Sequence, residues 1–143
     1  MNFEETGKVM ALISAYNDRF EVSREKIIAW HQILEKYSYP DCMTAVTEYF
    51  TNETTPWIMP ADIIQRVEEI QLKRLEQFGG FMPLNPQDEF DSNGNLAPDY
   101  KQKIQHLHRL ARNGQITPAQ YDAYRQDKLT LTQLTNQAKE ITS

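Results

Sequence analysis

Three histidines, one cysteine, two tryptophans and a run of cations are the residues of this 143-residue chain whose types could do chemistry. His106 and His108 stand two apart, so a helix would put them on different faces, and no Glu or Cys joins them at ligand spacing. His31 beside Trp30 reads as a boundary residue rather than a base. The single Cys42 excludes an internal disulfide and leaves a cysteine-based metal site without partners. No Gly-rich loop ends in Lys-Ser or Lys-Thr, so nucleotide hydrolysis of the P-loop kind is absent. With no residue that could be named nucleophile or base, the expectation is a protein that is not an enzyme and carries no cofactor and no metal.

Binding chemistry is better represented. Lys101, Lys103, Arg109 and Arg112, with both downstream histidines interleaved and no acid from 100 to 121, form the nucleic-acid candidate. Four cations would give only weak, salt-sensitive affinity for phosphates, and a net charge of −5 opposes it. A solvated helix face is the simpler reading. Charge is also uneven along the chain: residues 1–60 carry five bases and nine acids, whereas residues 101–143 carry seven bases and three acids. Either two functional segments or internal attraction accounts for this.

The elements that must position these residues all read as helices. Val9, Leu12, Ile13, Tyr16 and Phe20 recur at helical spacing, predicting a first helix over about 3–18. Ser23 caps a second, whose stripe is Ile27, Trp30, Leu34 and Tyr37, and a third covers roughly 40–51. Then comes Thr55-Pro56-Trp57-Ile58-Met59-Pro60-Ala61-Asp62-Ile63-Ile64, where two prolines four apart forbid a continuous helix. Pro60 suits a first helical turn and Asp62 complements the dipole, so a fourth helix should start near Met59. Trp57 and Ile58 read as a plug closing the core of residues 1–58, with Trp57 also a candidate partner contact. After Ile70 the stripe shifts to Leu72, Leu75 and Phe78, as if the helix outran its core.

Residues 79–99 hold three glycines and three prolines among acids and amides, the composition of a linker. Its Phe81, Met82, Leu84 and Phe90 are too apolar for a fully solvated tether. Beyond it Tyr100, Ile104, Leu107 and Leu110 make a fifth helix ended by Asn113-Gly114, Thr117-Pro118 opens a sixth, and a last amphipathic segment runs from Leu129 to Ile141. The class is all-α: a four-helix domain over 1–78, a linker over 79–99 and a helical carboxy-terminal segment over 100–143. Tyr121, Tyr124, Leu131 and Leu134 form an apolar surface too small for an independent domain, so they either fold back on the front domain or dock on a partner. No apolar run reaches the roughly 20 residues of a bilayer span. The acidic start, Met-Asn-Phe-Glu-Glu, is unlike a signal peptide, and a cytoplasmic setting is expected.

A helix with Tyr and Phe near its end, a second with central Trp30, a Tyr-rich bend, a third helix and then Pro-Trp-Ile-Met-Pro-Ala-Asp-Ile over 56–63 resemble the phage and prophage replicative-helicase loader and inhibitor family. Trp30, Pro56, Pro60, Asp62 and Ile63 carry the motif. The resemblance covers about half the chain and implies a small helical amino-terminal domain, no ATP hydrolysis of its own, and contact with a hexameric replicative helicase, with a replication-initiator protein as a second partner of the front domain. Residues 107–131, with Leu-x-x-Leu, a Gly turn and Ile-Thr-Pro followed by Tyr121, are similar to the short SHOCT hairpin found at the carboxy termini of many bacterial proteins. The competing expectation is a small DNA-binding regulator that lays the helix at 100–113 on phosphates.

Overall fold

A computed structural model describes residues 1–53 and 57–142, with side chains through Ala138; Thr54, Thr55, Pro56 and Ser143 lie outside the described residues. The described residues are helical throughout, with one isolated antiparallel bridge between Phe90 and Leu96. The chain divides into two compact units, Met1–Ile70 and Gln71–Ser143.

The first unit is built from α1 (Phe3–Tyr16), α2 (Arg24–Leu34), α3 (Tyr39–Asn52) and the first part of α4 (Pro60–Glu76). Local signals set the boundaries. Asn2 and Glu5 form a reciprocal capping box on α1, and Ser23 accepts from the Lys26 N–H to start α2. Glu4 and Lys8 form the expected surface pair at 3.6 Å. Tyr37, read as the end of the second stripe, instead lies in the turn after α2, its N–H donating to Leu34 O. α1 packs against both α2 and α3. Val9, Met10 and Ile13 of α1 meet Trp30 and Leu34 of α2, Cys42, Ala45, Val46 and Tyr49 of α3, and Ile63 and Val67 of α4. Each such side chain contributes about 1.5–3 kcal/mol on full burial. Phe20 closes one edge, its ring set edge-on to Trp30 at 5.5 Å between centroids.

The second unit takes the last turns of α4, then α5 (Pro86–Glu89), α6 (Tyr100–Arg112), α7 (Pro118–Arg125) and α8 (Leu131–Thr142). Its core joins Leu107, Leu110 and Ala111 of α6, Ile116, Tyr121 and Tyr124, and Leu134 and Ala138 of α8. Leu75 and Phe78, where the α4 stripe drifts away from the first core, pack here. α6 ends as its Asn-Gly predicts: Gly114 adopts φ +71°, its N–H donates to Ala111 O, and Gln115 N–H donates to Leu110 O. Thr117 and Gln120 form a capping box on α7, and Thr130 and Gln133 exchange the same two hydrogen bonds ahead of α8.

Residues 79–99, a linker by composition, belong to this unit. Met82 and Leu84 are buried in its core. Asn85 N–H donates to Tyr124 Oη at 2.9 Å, and its side-chain amide donates to Tyr124 O and to Asp127 Oδ1. Tyr121 Oη donates to Pro83 O at 2.7 Å and Arg125 donates to Leu84 O at 2.6 Å. A Pro/Gly-rich strap thus finds on α7 the hydrogen bonds that it cannot make within itself. Phe81, 77 % exposed, stays outside that arrangement.

Candidate partner-binding surfaces

The turn into α4 separates two neighbours that the sequence reading had joined. Ile58 is 3 % exposed and is the plug of the first core. Trp57 is 69 % exposed, which overturns its reading as part of that plug. In an extended link successive side chains point to opposite sides, so one of the two had to face out. Tyr49 Oη donates to Trp57 O at 3.1 Å and fastens the backbone there. Pro60 is buried and opens α4, and Asp62 Oδ2 accepts from Met59 N–H at 2.8 Å, so this motif residue holds the helix start. Ile63 is fully buried. Pro56 falls outside the described residues.

Beside Trp57 runs a groove of about 420 Å³ between α3 and α4. Tyr49 and Glu53 form one wall, and Asp62, Gln65, Arg66 and Glu69 the other. Arg66 is committed: its Nη2 lies 2.7 Å from Glu53 Oε1, and its guanidinium lies over the Tyr49 ring at 5.6 Å. Trp30, by contrast, is buried as a core residue.

The carboxy-terminal candidates are placed differently from the partner-contact expectation. Tyr124 and Leu134 are fully buried, Tyr121 is nearly so, and Leu131 packs half-buried against the same core. They are the interior of the second unit rather than a surface for another protein. Tyr124 Oη donates to Asp88 Oδ2 at 2.6 Å. Burial, reinforced by that hydrogen bond, raises the Tyr124 phenol above its ordinary value; burial likewise raises Tyr121, against the opposing charge of Arg125.

Of the four cations proposed for phosphate contact, Lys101, Arg109 and Arg112 are exposed. Lys103 is half-buried and paired, 3.3 Å from Asp99 and 3.7 Å from Asp88. Arg109 and Arg112 share with Ile104, Gln105 and His108 a shallow depression of about 380 Å³ on α6. The helix therefore divides its cations, three toward solvent and one into internal pairing.

The histidines have structural partners. His31 Nδ1 meets Thr6 Oγ1 at 3.0 Å, His106 Nε2 meets Thr135 Oγ1 at 2.8 Å, and His108 Nε2 reaches Met82 O at 3.4 Å. Cys42 is buried, and burial, with Asp41 adding to it, pushes its thiol up to about 12. Among the described residues no group of three or more His, Cys, Asp or Glu gathers to hold a metal, and no helix is long and apolar enough to cross a membrane.

Two features escaped sequence reasoning. Asn85 lies 39 residues from Tyr124, with no local pattern to mark it. The Trp57 groove could have been suspected only from the acids at 53, 62 and 69 around a turn. No curated protein and no solved structure matches the chain. A family model does match: residues 1–59, which hold α1 to α3 and the link up to Met59, correspond to the amino-terminal domain of the phage helicase-loader and inhibitor gp39 family.

Proposed function

We propose that this protein is a non-enzymatic accessory factor of phage or prophage DNA replication, acting in the cytoplasm, that binds a hexameric replicative helicase and loads or restrains it. The observation that carries this reading is the match of residues 1–59 to the gp39 amino-terminal domain family, over the helices that form the first core. The mechanism is differential binding: contact with one conformation of the helicase ring draws its population toward that state. An initiator protein bound to the origin is the second partner in this scheme. Since the aromatic residues of α7 are interior, the helicase contact falls on exposed side chains. Affinity pull-down of the helicase by the full chain tests the reading. Retention supports it, and failure to retain either the phage or the host replicative helicase sinks it.

A second reading rests on Lys101, Arg109 and Arg112, exposed on α6 in a stretch without acids. On that reading the protein is a small DNA-binding regulator. Three phosphate contacts would give a slope of about −3 in log K against log salt on duplex DNA. A gel shift at low salt that is unaffected by replacing those three residues rules it out.

A further inference from the structure

The groove beside Trp57 has a chemistry of its own, apart from the helicase reading. An indole that is 69 % exposed leaves most of a large apolar surface in water, which favours a partner that covers it. The side chain is also positioned: its own carbonyl is held by Tyr49, and the neighbouring Ile58 is anchored in the core. Tryptophans presented in this way are favoured as binding hot spots.

The charge of the groove narrows the partner. Glu53, Asp62 and Glu69 are acids and Arg66 is the one cation among the described lining residues, already neutralised by Glu53 at 2.7 Å. Among the described residues no cation pairs with Asp62 or Glu69, and their spacing along α4 puts both on one face with Gln65 between them. The groove therefore offers an aromatic face and two uncompensated carboxylates.

We infer that this groove docks a protein segment presenting an arginine, whose guanidinium lies over Trp57 and pairs with Glu69 and Asp62. Arginine fits better than lysine: its planar, weakly hydrated group stacks on an indole and still donates from its edge to a carboxylate. An unpaired base of single-stranded nucleic acid would also stack on Trp57, but its phosphates would face the acids.

Selection of a phage-displayed random peptide library on the immobilised full chain tests this, followed by titration of labelled peptides. The expected peptides carry arginine, and Trp57→Ala and Glu69→Arg each weaken them by roughly tenfold or more, the loss of one hot-spot contact. Trp57→Phe, which keeps a smaller ring, loses less. Glu69→Arg should in turn favour the same peptides with arginine replaced by glutamate. Both altered side chains are exposed, and circular dichroism checks that the variants stay folded. The inference is overturned if no peptide is selected, if those selected lack arginine, or if either variant leaves affinity unchanged. It is equally overturned if an oligothymidylate binds and is lost on Trp57→Ala.

Discussion

Replacing Tyr124 by Phe removes one oxygen from the most enclosed aromatic side chain of the second unit, and the consequences can be worked out from its partners. The hydroxyl accepts from Asn85 N–H at 2.9 Å and donates to Asp88 Oδ2 at 2.6 Å. Asn85 is buried, so its amide would be stranded without water, at about 1–3 kcal/mol. Asp88 is partly solvated and keeps Lys103 at 3.7 Å, so its loss is smaller, about 0.5 kcal/mol. The expected total is about 2 kcal/mol, against a stability of roughly 4–11 kcal/mol for a unit of this length. Urea unfolding followed by far-ultraviolet circular dichroism measures it, with tryptophan fluorescence as the reference, since Trp30 and Trp57 both belong to the first unit. Amide exchange at Asn85 should accelerate by up to about 30-fold, the same energy read locally. A loss below about 0.5 kcal/mol, within the range of ordinary surface substitutions, would mean that residues 79–99 are a solvated tether after all.

Gly114→Ala should destabilise the second unit by about 2 kcal/mol, because a side chain at φ +71° is strained and its Cβ would lie 2.8 Å from Arg74 Nε, whose guanidinium donates to Arg112 O. Gly94→Ala, at φ +80° with nothing within 4 Å, should cost only the backbone strain, and equal losses in thermal melts would contradict the packing account. Cys42 should resist a thiol reagent at pH 8 in the native protein and react promptly once unfolded, since its thiol is buried and pushed up to about 12; rapid native labelling would show that the first core is open. Tyr121 and Tyr124 have folded pKa values raised above the ordinary 10, so their neutral forms stabilise the fold fully below pH 10 and that contribution is lost as pH climbs past it. Unfolding midpoints should therefore fall between pH 9 and pH 11, by less in Tyr124→Phe than in the wild type.

Helix starts and stops were the most legible part of this chain, because each is decided by a residue or two acting locally. Ser23, Thr117-Pro118, Asn113-Gly114 and the Pro60 to Asp62 turn all do what their chemistry predicts. What local chemistry cannot state is who supplies the other side of an apolar stripe. Tyr121, Tyr124 and Leu134 would look the same in sequence whether they faced a partner or Met82 and Leu84. Composition misread residues 79–99 for a related reason: prolines and glycines prevent a long helix there, but they do not prevent burial once distant side chains supply hydrogen bonds. The Trp57-Ile58 pair shows the finest limit. Adjacent apolar residues in an extended link must part company, and only the shape of the core decides which goes inside.

Sedimentation velocity of the full chain titrated with the replicative helicase puts the proposed function to the most direct test. The expected result is a complex heavier than the helicase hexamer that forms with micromolar or better affinity, with no ATP hydrolysis from the isolated protein. Sedimentation at the free rate against both phage and host helicases would contradict it.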